Sequence, residues 1–322
     1  MDVGIKRRIH DMIGSAFSRC AVVLLLAVPV LSAAAEYIVV VGEENNGIHS
    51  RFLDGFERQV EASGTGVSVR FVSRNNVKKV AGKISDVSLL VTVGALAARE
   101  IQNLDINVPT IHSLVSESYL REMPKIFGDN GKKTSIYIDQ PPLRMLTLIK
   151  AALPDVKNVT IAVGEGAQRL DGEITAACNT LRLICDSVFI KDSAGIENAL
   201  EKAARSDRVL LVLPDPHVIN SSTVKTLILG AYMRRISLIG YSQALVKAGA
   251  LMAVHSTPEQ LGMDAANMAT DALLNRPWRL PESRYPALFS VSVNYQLARA
   301  LRVDLPSENT LEQAIKRNES YE

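Results

Sequence analysis

The fold is decided by residues 208–276, which read RVLLVLPDPHVINSSTVKTLILGAYMRRISLIGYSQALVKAGALMAVHSTPEQLGMDAANMATDALLNR. Three short apolar runs, at 208–213, 237–240 and 250–254, alternate with stretches in which apolar residues recur at helical spacing. Continuous apolar strands that alternate with amphipathic helices are typical of a parallel sheet covered on both faces. The segment therefore predicts a doubly wound α/β fold.

Polar side chains follow each of these apolar runs. Asp215 and His217 follow the first run, Tyr241 follows the second, and His255 follows the third. Ligands of open parallel sheets bind beyond the carboxyl ends of the strands. We therefore expect Asp215, His217 and Tyr241 to face a ligand. For Tyr241 the alternative is core packing, because a tyrosine ring serves either purpose.

The last helix of this segment has clear start and stop signals. Thr257 is a candidate N-cap, Pro258 stands at the first helical position, and Gln260 completes a capping box. Asn275 and Pro277 end the helix. The spacing predicts a long helix directly after the third strand.

The same segment carries a family resemblance. A strand, Pro-Asp, a helix, a strand, Ala-Gly-Ala-Leu, a strand and a helix with the pattern LG..AA.MA follow one another, and FSVSVNYQLARALRVDL at 289–305 precedes Pro306. This order resembles the periplasmic substrate-binding family of ABC transporters, which includes tryptophan- and tyrosine-binding proteins. The resemblance covers the chain from about residue 36 to about residue 306. It implies the type I periplasmic binding fold, a clamshell of two Rossmann-like lobes that close about a hinge.

The same alternation of strands and helices fills the rest of the chain. Strands are predicted at 37–41, 67–72, 87–93, 108–112, 134–138, 159–163 and 187–190, and helices at 50–62, 96–104, 143–153, 167–180 and 194–204. Pro141 and Pro142 make a stiff crossing point near Asp139. The resemblance implies further crossings near Ser256 and near 279–285. The expected segments are an N-terminal lobe of 36–138 plus about 256–280, a C-terminal lobe of 139–255 plus about 281–306, and a polar tail, 307–322, as a surface helix or frayed end.

Residues 1–35 have the features of a signal peptide. Four basic residues accompany an apolar stretch of 11 residues at 21–31, and Ala33-Ala34-Ala35 fits the cleavage rule. The stretch is short for a membrane span, which needs about 20 apolar residues. We expect cleavage after about Ala35 and a soluble periplasmic protein. The alternative is an uncleaved N-terminal anchor.

Composition excludes several classes of protein. The chain of 322 residues has a formal net charge of +2, without the basic patch that nucleic acid requires. No other long apolar run suggests a membrane span. Cys178 and Cys185 remain after cleavage and can pair in an oxidising compartment, or stay as two buried thiols. We expect the disulfide.

The first half offers further ligand contacts in its loops. Glu43, Asn45 and Asn46 lie after the first strand, where they form either a binding loop or a solvated turn leading into a helix. After the third strand come Gly94 and Ala95. The resembling family more often has Gly-Thr-Pro-Ala-Ala at that position, so the backbone amides of an anion site remain here but the hydroxyl does not.

Three more candidate contacts follow the fourth strand: Ser113, Ser116 and Glu117. This loop also departs from the family pattern, Val-x-Asp-Pro. In the second half, Glu165 stands between two glycines after a strand. A dinucleotide site is not expected there, because the sixth position of the glycine motif is Arg169.

Two other kinds of site were weighed against simpler roles. His112, Asp215, His217 and His255 lack the spacing of metal ligands. Residues 240–244 resemble a nucleophile elbow without its last glycine, and Ser242 is more simply an N-cap. No credible nucleophile, base and oxyanion set exists, so an exported hydrolase is disfavoured.

The sequence and the resemblance together predict a binding protein and not an enzyme. We expect the periplasmic solute-binding component of an ABC-type transport system, which captures a small polar organic ligand, amino-acid-like by resemblance, through hinge closure. The alternative is a ligand-sensing periplasmic module for a membrane receptor or kinase. The expected partners are a small-molecule ligand and a membrane permease or sensor, with no cofactor, metal or nucleic acid, and the protein is expected to be a monomer.

Overall fold

The computed structural model describes residues 37–84, 87–104, 106–123, 131–164, 170–275 and 279–319. The predicted signal peptide lies outside these ranges. The helices are Gly47–Ala62 (α1), Val77–Ile84 (α2), Ala95–Asn103 (α3), Glu117–Arg121 (α4), Pro142–Ala152 (α5), Asp171–Leu181 (α6), Ser193–Ala204 (α7), Val224–Met233 (α8), Gln243–Ala248 (α9), Pro258–Leu274 (α10), Tyr295–Leu301 (α11) and Glu308–Glu319 (α12). None of these helices is both long and apolar enough to cross a bilayer.

Two sheets organise the chain. The first has five parallel strands in the order β2-β1-β3-β4-β5, and the second has six in the order β11-β10-β9-β8-β6-β7. The strands are Tyr37–Gly42 (β1), Ser68–Ser73 (β2), Leu89–Val93 (β3), Thr110–Val115 (β4), Lys133–Tyr137 (β5), Asn158–Val163 (β6), Ile184–Phe189 (β7), Val209–Val212 (β8), Ser237–Gly240 (β9), Met252–His255 (β10) and Ser290–Val293 (β11). The predicted class, α/β with two doubly wound sheets, is confirmed.

One face of the first sheet is covered by helices that are far apart in the sequence. Phe52 and Phe56 of α1 are buried in the same core as Leu261 and Ala265 of α10. The two helices pack closely at Gly262, because a methyl group there would lie 2.1 Å from the carbonyl oxygen of Phe52. The chain therefore returns to the first sheet after building most of the second.

The second sheet is parallel except at one edge. β11 pairs with β10 in the antiparallel direction, with Met252 opposite Val293 and His255 opposite Ser290. The sequence made no prediction about the direction of this strand. The strand enters from a connection that has crossed from the first sheet, so it lacks the helical crossover that imposes a parallel direction.

The C-terminal segment is a docked helix. Of the two predicted states of the polar tail, a surface helix or a frayed end, the structure has the helix, and its Leu311 and Ile315 are fully buried in the core that α5 also lines. Backbone N–H groups of Val291 and Val293 in β11 donate to Glu312 and Glu308 of α12, at 3.0 and 2.8 Å. Residues 308–319 thus belong to the second sheet's layer of helices.

Hydrogen bonds join the places where the chain passes between the two sheets. Gln140 donates to Ser256 Oγ (3.0 Å), and Ser256 Oγ donates to the carbonyl of Leu288 (2.6 Å). The guanidinium of Arg144 donates to Gln140 Oε1 (2.7 Å) and to the carbonyl of Pro286 (2.9 Å). Arg144 therefore holds the region of all three predicted crossings together. The exact lobe boundaries stay a prediction.

Two local predictions can be compared with the structure directly. The capping box of α10 is confirmed: Thr257 Oγ1 accepts from the Gln260 N–H, and Gln260 Oε1 accepts from the Thr257 N–H. Cys178 at the end of α6 and Cys185 in β7 are bonded, with their Cα atoms 6.2 Å apart. The bond ties the end of that helix to the edge strand of the second sheet.

Candidate functional site

The carboxyl edges of the two sheets meet. Ser118 Oγ in α4 of the first sheet donates to the carbonyl of Pro214, which follows β8 of the second, at 3.4 Å. In doubly wound sheets the ligand crevice lies where strand order reverses. That reversal falls between β1 and β3 in the first sheet and between β6 and β8 in the second. These two positions define the candidate site.

At the second reversal point, Asp215 fills the crevice. Its carboxylate lies against Gly164, the residue after β6, so closely that a methyl group on Gly164 would be 2.1 Å from Asp215 Oδ1. Only a glycine leaves room for this carboxylate. The short connections after β6 and β8 thus bring a carboxylate to the crevice of the second sheet.

Asp215 is buried and incompletely hydrogen-bonded. Its Oδ1 accepts from the N–H of His217 at 2.8 Å and lies 3.1 Å from the ring Nδ1 of His217. Its Oδ2 has no hydrogen-bond partner among the described residues, although Asp215 is only 3% exposed. A buried carboxylate oxygen without a partner is costly. It is therefore a candidate acceptor for a donor group of a ligand.

Tyr241 lies beside the same carboxylate. Burial, followed by the negative charges of Asp139 and Asp215, raises the pKa of Tyr241 to about 12. Its ring is half-buried and packs against the α7–α9 side of the second sheet. The packing of the ring is therefore seen directly, and a contact of the neutral hydroxyl with a ligand stays a prediction.

The first sheet contributes Glu117 and Asp139 to this region. The N–H of Glu117 donates to Asp139 Oδ2 at 2.9 Å. The Glu117 carboxylate accepts two hydrogen bonds from Arg121, at 2.9 and 2.7 Å. Ser116, the neighbouring predicted contact, caps α4 by accepting from the Tyr119 N–H. Sequence reasoning selected Glu117 and Ser116 as ligand contacts, but both side chains already have partners within the protein.

The loop after β1 is similarly self-contained. Asn46 is the N-cap of α1 and accepts from the N–H groups of Ile48 and His49. Glu43 lies 3.5 Å from Arg74 and accepts from the Asn46 side chain at 3.2 Å. Asn45 is exposed and has a φ of 58°. Of the three predicted contacts in this loop, Asn45 alone keeps a side chain with no bond among the described residues.

Glu43 and Asn45 do line a small cavity. It has a volume of about 250 Å³ and is bounded also by His49, Leu53 and Phe71. A larger cavity of about 530 Å³ lies beside the disulfide. Because the disulfide is at the start of β7, that cavity is at the wrong end of the strands for a ligand of this fold.

His49 is a candidate site residue that sequence reasoning missed. Its ring lies across the carboxyl ends of β1 and β3, with Nδ1 3.1 Å from a methyl group built on Gly42 and Nε2 3.1 Å from one built on Gly94. Gly94 has a φ of +86°, a conformation that favours glycine. A helix start at residue 47, signalled by Asn46, would have placed His49 in the first turn, beside this loop.

The other predicted contacts fall around this point. Ala95 begins α3. Ser113 lies two residues before the end of β4, and its carbonyl accepts from the Gly94 N–H at 2.9 Å. The Ser113 hydroxyl is fully buried and has no partner among the described residues. Glu165 lies outside the described residues.

Two other histidines, His112 and His255, make side-chain hydrogen bonds within their own sheets. His112 is within 2.7 Å of Thr92 Oγ1, and His255 Nε2 is 2.9 Å from Ser292 Oγ. Ser242 caps α9 by accepting from the Leu245 N–H. Among the described residues, no group of three or more histidines, cysteines and carboxylates is arranged to hold a metal.

Comparison with known proteins identifies the family. Residues 71–317, well over half of the chain, match the family described as ABC transporter substrate binding protein. No curated protein matches the sequence. The family model rests on sequence, and the fold described above agrees with it.

Solved structures show the same fold at low identity. One is the ligand-free, open structure of CD0873, a substrate binding protein with adhesive properties from Clostridium difficile; it has a TM-score of 0.66 and 17% identity, over 85% of this chain and 97% of that one. Another is the ABC domain in complex with L-Trp from Streptococcus pneumonia, with a TM-score of 0.58 and 16% identity, over 86% and 97%.

A third solved structure is named for a sugar and not for an amino acid. It is the periplasmic ribose ABC transporter from Conexibacter woesei, with a TM-score of 0.52 and 13% identity, over 84% of this chain and 95% of that one. Structures named for an amino acid and for a sugar share this fold, so the fold alone does not select a ligand. The family match decides the assignment: this chain belongs to the ABC transporter substrate binding protein family.

Proposed function

We propose that the protein is the exported, periplasmic binding component of an ABC-type transport system and captures a small polar organic ligand that carries a cationic amino group. The ligand lies between the carboxyl edges of the two sheets and is held when they close on it. The membrane permease of the transporter receives the ligand from it.

A single observation carries the proposal for the ligand. Asp215 Oδ2 is buried at the reversal point of the second sheet with no hydrogen-bond partner among the described residues. No Lys or Arg within the described ranges pairs with this carboxylate. A ligand ammonium group would supply both the donor and the positive charge that the buried carboxylate lacks.

The surroundings of Asp215 favour the same kind of ligand. Asp139 and Asp215 both lie near Tyr241. Burial makes the larger contribution to the raised pKa of Tyr241, and the negative charges of Asp139 and Asp215 add to it. A negative potential at a low-dielectric edge attracts cations and repels free carboxylates. An amino-acid-like ligand fits if its ammonium group faces Asp215 and its carboxylate faces the first sheet.

Calorimetry of the mature protein against the common L-amino acids, and against their N-acetyl derivatives, tests this proposal. Binding of an amino acid and loss of binding on N-acetylation are expected. Asp215→Asn should weaken binding by about 10- to 100-fold, because it removes a charged hydrogen bond while an oxygen still accepts from His217. Asp186→Asn is the matched control, since Asp186 is an exposed carboxylate of β7 that pairs with Lys202.

Two results would contradict the proposal. Equal affinity of the wild type and Asp215→Asn for a bound amino acid would remove Asp215 from the site. Equal affinity for an amino acid and its N-acetyl derivative would remove the amino group from the ligand.

A further inference from the structure

The imidazole of His49 lies at the reversal point of the first sheet, as Asp215 does in the second. The ring spans Gly42 at the end of β1 and Gly94 at the end of β3. Its Nδ1 accepts a hydrogen bond from the N–H of Glu43 at 2.8 Å. An imidazole nitrogen that accepts carries no proton, so in the neutral ring the proton is on Nε2.

The Nε2–H group is a donor that the described protein does not use. It has no hydrogen-bond partner among the described residues, and it lies on the side of the ring that faces Gly94. Burial lowers the pKa of His49, and the charge of Glu43 opposes this effect to a smaller degree. The ring therefore presents one fixed donor at the crevice of the first sheet.

Two further groups next to Gly94 have no side-chain partner among the described residues. α3 begins after Gly94, and no side chain in the described part of the chain caps its first turn. The Ser113 hydroxyl is wholly buried and has no hydrogen-bond partner within the described ranges. Val93 and Ser113 are register partners, and Val93 packs in the core beneath α1, so Ser113 is on the face of the sheet that carries His49. Ala95 offers no polar side chain, so the donors of this corner are His49, Ser113 and backbone amides.

We propose that His49 is a specificity-determining residue that donates its Nε2–H to a carboxylate oxygen of the ligand, beside the Ser113 hydroxyl and the first amides of α3. The inference rests on the proposed function, because it describes the opposite end of the same ligand. Donors at a helix N-terminus suit an anionic group. The crevice of the first sheet then binds the carboxylate of the ligand, and Asp215 binds its amino group.

Three substitutions of His49 distinguish a role as hydrogen-bond donor from a role in filling space. In His49→Gln the amide nitrogen takes a place near that of Nε2, in His49→Asn it takes a place near that of Nδ1, and His49→Leu fills the space without polar atoms. The probes are the common L-amino acids and their primary amides, by calorimetry. For an amino acid that binds, His49→Leu and His49→Asn should lose about tenfold or more in affinity, and His49→Gln should recover part of the loss. Equal affinities in wild type and His49→Leu would overturn the proposal.

The primary amides of the amino acids test whether His49 recognises the carboxylate. These amides should bind the wild type more weakly than the amino acids themselves do, and His49→Leu should reduce that difference. An unchanged preference for the acid in His49→Leu would exclude His49 as the group that reads the carboxylate, whatever happens to the overall affinity. Thermal unfolding of each variant shows whether the fold is kept.

A second measurement does not depend on an amino-acid ligand. Long-range ¹H–¹⁵N spectra of the ligand-free protein, assigned with His49→Gln, report which ring nitrogen carries the proton. We expect the Nε2–H form, and a shift of that signal when acetate is added as the smallest carboxylate probe, but not with an equal concentration of chloride. An Nδ1–H form, or no response to acetate, would overturn the proposal. A response to acetate in a protein that binds no amino acid would support His49 and contradict the proposed amino-acid ligand.

Discussion

The carboxylate of Asp215 occupies the space that a side chain at Gly164 would need. A methyl group on Gly164 would lie within 2.1 to 2.5 Å of all three carboxylate atoms. Gly164→Ala must therefore displace Asp215. We expect a loss of about 1–3 kcal/mol in the free energy of unfolding, and weaker binding of any ligand that Asp215 holds. Urea denaturation and calorimetry measure the two effects.

A second glycine provides the control for this prediction. Gly172 lies in α6, and nothing stands within 4 Å of a methyl group built on it. Gly172→Ala should leave binding unchanged and should keep or slightly raise stability, because alanine favours a helix by up to about 1 kcal/mol. If Gly164→Ala behaved like Gly172→Ala, the close contact with Asp215 would be wrong.

Arg144 should be among the most important polar residues for stability. It is buried and donates to Gln140 and to the carbonyl of Pro286, and its guanidinium pairs with Glu319 at 2.5 Å. Arg144→Met leaves buried acceptors unpaired, so we expect a loss of about 2–4 kcal/mol in the free energy of unfolding. Denaturant titration measures this loss.

Glu319 separates the ion pair from the rest of this network. Its side chain is 29% exposed, so Glu319→Gln should cost only about 0.5–1 kcal/mol. Similar losses in Arg144→Met and Glu319→Gln would show that the ion pair, and not the bonds to Gln140 and Pro286, gives Arg144 its importance.

The buried ring of His112 predicts how stability depends on pH. Burial, with a smaller contribution from Lys133, lowers the pKa of His112 from 6.5 to about 3. Between about pH 6.5 and pH 3, His112 therefore binds a proton in the unfolded chain but not in the folded protein. Stability should fall as the pH drops from about 6.5 towards 3, by up to about 1.4 kcal/mol per pH unit.

A single variant tests the source of this slope. In His112→Gln the dependence of the free energy of unfolding on pH should be weaker between pH 7 and pH 4. It should not vanish, because burial also lowers the pKa values of His49 and His255. Urea unfolding at a series of pH values gives the slopes. Identical slopes for wild type and variant would contradict the assignment to His112.

The bond between Cys178 and Cys185 should stabilise the edge of the second sheet. The two residues are 7 positions apart. Closing so short a loop lowers the conformational entropy of the unfolded chain, which stabilises the folded state by about 2–3 kcal/mol. Replacing both cysteines by alanine should lower the free energy of unfolding by about that amount, and reductant should have a similar effect on the wild type. A thiol titration that finds two free thiols in the native protein would exclude the bond.

The sequence predicted those features that depend on short stretches of chain. Apolar runs such as Val209–Val212 and Ser237–Gly240 are strands because each is buried on both faces, and this burial is visible in the composition. The capping box at Thr257 was equally visible, since all of its atoms lie within four residues. As a member of a binding-protein family, the chain also fits the prediction that it is not an enzyme.

Features that join distant residues were not predictable in this way. Arg144 and Glu319 are 175 positions apart, and nothing in either local pattern signals the other. The direction of β11 and the docking of α12 depend on how the last crossing places the chain. His49 was missed for a different reason, because the predicted helix began three residues late and so hid its first turn.

The docking of α12 matters to anyone who attaches a probe to this protein. Glu319 is the last residue of α12 and is paired with Arg144, which bonds to the segments that run between the sheets. A purification tag or fluorescent reporter attached at Glu319 would remove this ion pair. A label on the exposed Met233 of α8 would leave the ion pair intact.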